Sequence, residues 1–331
     1  MTKVDSETQL LTSDNTHLSD STDRGSAATI GDVNCTRDLV AAYLDAGTAA
    51  NSRQAYRSDL AHFAAWGGTI PSSPEVVAAY LAAHAGDLAV ATLSRRLSSI
   101  SKAHQLRQLS SPTISELVRA TLRGIRRAHG TAQRQARPLV RDDLFLVLGS
   151  MPGGLRAIRD RALLLIGFAG ALRRSELVAL DVCDIEHVRK GIVLHLRRSK
   201  TDQDGTGQQL GIPFGRTQWC PVSRLDDWMQ AVRISSGPVF RPVDRHGMAY
   251  ASRLSGEAVA KIVKDRTAAA GLESEAYSGH SLRAGFATSA AALGVPSWQI
   301  RAQTRHASEA MLNRYIRVGE MFTCNAVAAL L

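Results

Sequence analysis

Apolar residues recur at helical spacing along this chain from residue 37 to about residue 316, and the pattern gives way to strand-like alternation only once. The break falls at residues 192–197 (IVLHLR) and, less clearly, at 208–213, on either side of the polar stretch SKTDQDGTG. Two alternating segments around a polar turn read as a hairpin. The expectation is a mainly α chain with a small antiparallel β-sheet. Helices are expected at 37–46, 51–66, 74–84, 90–107 and 116–129. Ser73-Pro74-Glu75 is a start signal with proline at the first helical position. Thr113-Ile114-Ser115-Glu116 reads as a capping box, and Gly130 as a stop. These elements form a five-helix domain over 34–130. Residues 131–138, polar, basic and ending in Pro138, read as an extended linker. A second domain occupies 139–331, with helices near 141–150, 156–169, 217–233, 255–270, 281–293, 296–303 and 308–316. Residues 1–33, rich in Ser, Thr and Asp, read as a disordered acidic tail. The apolar Asn325–Leu331 closes the chain.

The formal charge is +10 over 331 residues, and it is unevenly placed. The first 33 residues carry two basic and six acidic side chains, whereas residues 34–134 carry twelve basic and six acidic. Both helical regions are therefore basic, which favours a polyanionic partner through counterion release. Arg95, Arg96 and Lys102 on one helix, Arg123, Arg126 and Arg127 on another, and Arg134 in the linker are the candidates for phosphate contact. Glu116 is the only acidic residue on those two helices, so an ordinary solvated face, the competing explanation, is the weaker one. No apolar run approaches the ~18 residues of a membrane span. Cys35, Cys183, Cys220 and Cys324 show no paired spacing and read as reduced thiols of a cytoplasmic protein. No metal or nucleotide motif is present, and neither metal nor cofactor is expected.

The chemistry lies in six residues in fixed order: Arg173, Lys200, His280, Arg283, His306 and Tyr315. Glu176, three residues after Arg173, is placed to share a helical face with it and hold its guanidinium. Lys200 sits on the hairpin turn. The chain has six lysines against 34 arginines, and lysine, unlike arginine, can release its proton to a leaving alkoxide. His280 and Arg283 stand one turn apart at a helix start, where the backbone dipole also favours an anion. Tyr315 is the nucleophile candidate. Nearby arginines and a histidine base are expected to favour its phenolate. Each pair alone is weak, and Arg173–Glu176 or His306 could be merely structural. Their order and spacing together are specific.

This set resembles the active-site signature of the tyrosine recombinases, the phage-integrase family, over roughly residues 36–331. Tyr277-Ser278-Gly279-His280-Ser281-Leu282-Arg283, Asn313-Arg314-Tyr315-Ile316-Arg317 and Arg198-Ser199-Lys200-Thr201-Asp202 are most similar to the subgroup typified by the phage Cre recombinase. Two positions depart from the pattern. Arg305 stands where many members have glycine, and His306 follows the wider family where Cre has tryptophan. The resemblance implies a two-domain DNA clamp, with a helical core-binding domain ahead of a catalytic domain. It implies site-specific recombination through a 3′-phosphotyrosyl intermediate and a Holliday junction, without ATP or metal. Tyr315 would attack, Lys200 would protonate the leaving 5′-oxygen, Arg173 and Arg283 would clamp the phosphate, and His280 and His306 would assist. The implied partners are double-stranded DNA bearing a short inverted repeat and three further copies of the chain, with the apolar tail docked on a neighbour. A type IB topoisomerase and a catalytically silent DNA binder are the competing readings.

Overall fold

The computed structural model describes Gly47 and residues 50–131, 135–197 and 207–319. The acidic tail, the helix expected at 37–46, Arg134, Lys200 and Asn325–Leu331 lie outside the described residues. The chain divides into two compact units, one ending at Gln133 and the next beginning at Arg134.

The described part of the first unit is helical: α1 (Ala50–Ala65), α2 (Pro74–Ala83), α3 (Val90–Leu106) and α4 (Glu116–His129). Phe63, Val77, Tyr80, Leu81, Leu93, Ile100 and Val118 build its core. α2 starts as its sequence indicates, with Pro74 in the first turn and the Ser73 hydroxyl accepting the Val76 N–H at 3.4 Å. The start of α4 differs from expectation. Pro112–Ile114 form a separate 3₁₀ turn opened by Ser111, and α4 begins at Glu116 without a side-chain cap. Glu116 pairs instead with Arg123, two turns along the same helix. Proline at 112 favours an early tight turn, which moves the helix start past Thr113.

One basic residue of α3 is also not where a DNA contact requires it. Arg96 is buried, donating to the Tyr80 hydroxyl at 2.8 Å and to His62 Nδ1 at 2.8 Å, with Asp59 3.7 Å away. Asp59, itself 2% exposed, draws the cation inward, because a buried carboxylate needs nearby positive charge and donors. Arg95 makes a two-bond pair with the same Asp59, yet half of its side chain remains exposed. Lys102 and Arg127 are exposed, Arg126 reaches the Ser94 hydroxyl at 3.3 Å, and Arg123 is held by Glu116.

The second unit contains α5 (Arg141–Gly149), α6 (Leu155–Ala169), α7 (Arg174–Ala179), strands β1 (Ile185–Val188), β2 (Gly191–Leu196) and β3 (Gln208–Pro213), then α8 (Pro221–Ala231), α9 (Gly256–Ala269), α10 (Ser281–Ala292), α11 (Ser297–Thr304) and α12 (Glu309–Gly319). The sheet is antiparallel in the order β1-β2-β3, with Ile185 opposite Leu194 and Ile192 opposite Ile212. Leu194, Ile192 and Ile212 turn toward a core shared with Leu163, Leu164, Leu177 and Trp228, whose indole donates to the Val239 carbonyl at 2.8 Å. β1 and α7 are additions to the elements expected from sequence. A smaller cluster of Ala287, Ala290, Ala291, Ile300 and Leu312 joins α10, α11 and α12.

Residues 137–139 run against the start of α10. The Arg137 N–H donates to Ala276 O at 2.7 Å and the Leu139 N–H to Ser281 O at 2.9 Å. The approach depends on Gly285, because a β-carbon there would stand 1.8 Å from the Leu139 carbonyl oxygen.

Candidate active site

Five of the six expected catalytic residues lie among the described residues, and all five converge within the second unit. Their supports come from four local structures. The turn after α6 brings Ala171 into the left-handed region at φ 44°, which aims its carbonyl at the Arg283 guanidinium, 2.8 Å away. The next residues open α7. Arg173 precedes the helix rather than lying on it, and Glu176 occupies its third position. The expected shared helical face is thus replaced by a helix-start arrangement. The Glu176 Oε2 accepts the Arg173 backbone N–H at 2.9 Å while Oε1 accepts Arg173 Nη1 at 2.5 Å. The carboxylate satisfies an unpaired helix-start donor and fixes the guanidinium in one step.

His280 immediately precedes α10 and Arg283 sits in its first turn. Arg283 is 1% exposed, and burial followed by the charge of Arg173 lowers its pKa to about 10. The group remains cationic at neutral pH. Its Nη2 is buried and makes no hydrogen bond with any described residue.

The break between α11 and α12 carries the rest. Gln303 donates to Ala169 O at 2.7 Å, tying α11 to the end of α6. Arg301 donates to the carbonyls of His306 and Ala307, each at 3.2 Å, holding the turn. Arg305 adopts φ 54°, ψ 44°, a left-handed conformation that costs a non-glycine residue on the order of 1–2 kcal/mol. His306 is buried, with Nδ1 2.8 Å from the Thr304 hydroxyl. That hydroxyl spends its proton on Ile300 O at 2.8 Å, so it accepts from His306, placing the ring proton on Nδ1 and the lone pair on Nε2. Burial, then the charges of Arg283 and Arg173, lower the His306 pKa to about 4. Thr304, the tautomer-fixing partner, was not anticipated from sequence, where nothing marks it from any helical threonine.

Tyr315 projects from α12, half-buried, its ring 5.7 Å from that of His306. Its hydroxyl lies 2.8 Å from His280 Nε2. Desolvation, then the charges of Arg283 and Arg173, hold His280 below the ordinary imidazole value, so at neutral pH its Nε2 is able to accept the phenol proton. The expectation that the arginines favour a phenolate is corrected. Burial raises the Tyr315 pKa, and the opposing pull of Arg283 and Arg314 is the smaller effect. The phenol stays protonated in the protein alone, with the His280 imidazole in hydrogen-bond contact.

A buried guanidinium cluster facing a phenol with a neutral imidazole beside it suits a phosphate ester and an oxygen nucleophile. The comparisons agree with that chemistry. Residues 147–320 match the phage integrase family. The integrase/recombinase xerD homolog of Selenomonas ruminantium is 39% identical over 294 residues, covering 86% of each chain. The recombinase cre of Escherichia phage P1 is 28% identical over 245 residues, 68% of this chain and 70% of its own. Among solved structures, a lambda integrase (75–356) dimer bound to a COC′ core site has a TM-score of 0.60 at 18% identity, covering 86% of this chain and 94% of that one. XerH site-specific recombinase bound to palindromic difH substrate has a TM-score of 0.58, also at 18% identity, covering 78% of this chain and 72% of that one. The chain belongs to the phage integrase family, the tyrosine recombinases. Its similarity to Cre, read from three short segments, is real but weaker than its similarity to the xerD homolog.

Proposed function

We propose that this chain is a site-specific recombinase that cuts and rejoins DNA through a 3′-phosphotyrosyl link formed on Tyr315. The observation that carries the reading is the 2.8 Å contact between the Tyr315 hydroxyl and His280 Nε2, beside the buried, cationic Arg283. In the proposed step the Tyr315 oxygen bonds to phosphorus, the phosphorus–O5′ bond breaks, and His280 takes the phenol proton. Arg173 and Arg283 grip the non-bridging oxygens, where preorganised donors are each typically worth ~10²–10³ in rate. Lys200 gives its proton to the departing 5′-oxygen. The ester preserves the energy of the broken bond, so the 5′-hydroxyl of a partner strand reverses the step without ATP.

The remaining parts of the reading follow from the family. Residues 34–130 are the core-binding domain and 139–331 the catalytic domain, joined by 131–138. A lambda integrase tetramer has been solved on a Holliday junction, and XerH on a palindromic site. We extend both properties to this chain: a short inverted repeat as target, four copies at synapsis, and the Asn325–Leu331 tail docked on a neighbour. Its place is with cytoplasmic DNA. Among the described residues no helix is long and apolar enough to cross a membrane.

The test is capture of covalent protein–DNA complexes from cells, wild type against Tyr315→Phe, with sequencing of the attached ends. Adducts confined to wild type, on 3′-phosphates within an inverted repeat, are the expected result. Adducts formed equally by Tyr315→Phe would sink the assignment of the nucleophile. Their absence from both proteins would favour a silent DNA binder.

A further inference from the structure

The cation that follows Thr304 has no role in the set expected from sequence. Arg305 ends α11 in the left-handed region, where a long side chain is uncommon and a glycine would rest without strain. Its side chain turns inward and is only 8% exposed. Its Nη2 donates to Glu176 Oε2 at 2.7 Å, the same oxygen that accepts the Arg173 backbone N–H. One carboxylate therefore holds two guanidiniums, from opposite ends of the catalytic sequence. Arg305 Nε and Nη1 are buried without a hydrogen-bond partner among the described residues, as is Arg283 Nη2. Two guanidiniums thus share a single carboxylate, with that of Arg283 close enough to interact electrostatically with both Glu176 and Arg173, which leaves a net positive site with buried donors unpaired among the described residues. A strained backbone persists only where surrounding contacts hold it, and here the Glu176 pair does so.

We propose that Arg305 is a positioning residue of the phosphate site: it locks the Glu176 carboxylate, and through it Arg173, while adding positive charge for the oxyanion. The proposal rests on the phosphate-site reading above. It also assigns a purpose to the departure from glycine at this position. The strained backbone is exchanged for a buried cation that a glycine could not supply.

Inorganic orthovanadate, a tetrahedral oxyanion able to take a fifth oxygen, is the probe. It is titrated against the full-length protein and followed by the thermal midpoint. Arg305→Gly keeps the left-handed backbone accessible, so its midpoint without vanadate should equal or exceed that of wild type. We expect it to bind vanadate about tenfold more weakly, as befits loss of a charge-assisted bond, with Arg305→Lys between the two. Because Arg305 works through Glu176, the loss should shrink to less than about threefold when Glu176→Gln is already present. Wild-type affinity in Arg305→Gly would overturn the proposal, as would an undiminished loss on the Glu176→Gln background. A midpoint far below wild type would make Arg305 a structural cap instead, which also overturns it. A wild-type chain that forms Tyr315 adducts with DNA yet binds no vanadate would overturn the role of Arg305 and leave the adduct chemistry standing. Absence of adducts counts against the chemistry alone.

Discussion

At the scale of single residues, the free protein keeps the Tyr315 phenol protonated and the His280 and His306 imidazoles neutral at pH 7. Bringing a phosphate among Arg173, Arg283 and the histidines offsets the arginine charge that holds His306 neutral, so binding should take up a proton there while His280 keeps its lone pair for Tyr315. DNA affinity is therefore expected to rise as pH falls from about 8 to 6, with a buffer-dependent binding heat by calorimetry. In the free protein the sign is opposite for stability. The His306 pKa is lowered to about 4, so below the ordinary imidazole value the unfolded chain takes up a proton that the folded chain refuses. Its stabilisation is complete above pH ~6.5 and is lost as pH falls toward 4. The thermal midpoint should drop from pH 7 to pH 5, and His306→Asn should flatten that drop. His280→Ala should slow adduct formation by roughly 10² or more, the range of a lost general base, with DNA binding near wild type. The identity of these residues was legible in the sequence because their chemistry is unusual as a set. Their ionisation was not. Whether burial or neighbouring charge decides the Tyr315 pKa depends on how far α12 packs down, and spacing carries no depth. Arg96 failed for the same reason: its inward turn is fixed by Asp59, 37 residues earlier and on another helix.

At the scale of elements, long amphipathic helices were readable to within a few residues, as α3 and α9 show. Short ones were not. α7 spans only Arg174–Ala179 and β1 only Ile185–Val188, too few residues for a period to register. Yet α7 is the element that orients Arg173. Its geometry depends on Glu176 at the third helical position, so Glu176→Gln should weaken the grip on Arg173. We expect slower adduct formation together with a lower thermal midpoint, because the hydrogen bond to the backbone N–H is kept but the buried Arg305 loses its counter-charge. Gly285 makes a stronger demand. Gly285→Ala would drive a methyl into the Leu139 carbonyl, forcing α10 away from residues 137–139. The expected result is a loss of about 1–3 kcal/mol by denaturant unfolding, with adduct formation falling further than stability alone explains.

At the scale of the whole molecule, the positive charge of the first unit divides into internal and external parts. Arg96 belongs to the interior and Arg95 is shared, whereas Lys102 and Arg127 face solvent. If the exposed pair meets phosphate, Lys102→Ala and Arg127→Ala should each reduce the slope of log affinity against log salt by about 0.9. Arg96→Ala should instead lower the melting temperature, because it strands Asp59 in the interior. The seam between residues 137–139 and α10 lies within the second unit. Leu139 is bonded to Ser281, the residue directly after His280, and Arg137 to Ala276, four residues before it. The backbone on both sides of His280 is thus pinned from outside its own helix, and the histidine that contacts Tyr315 is placed by a main-chain clamp as well as by its side chain.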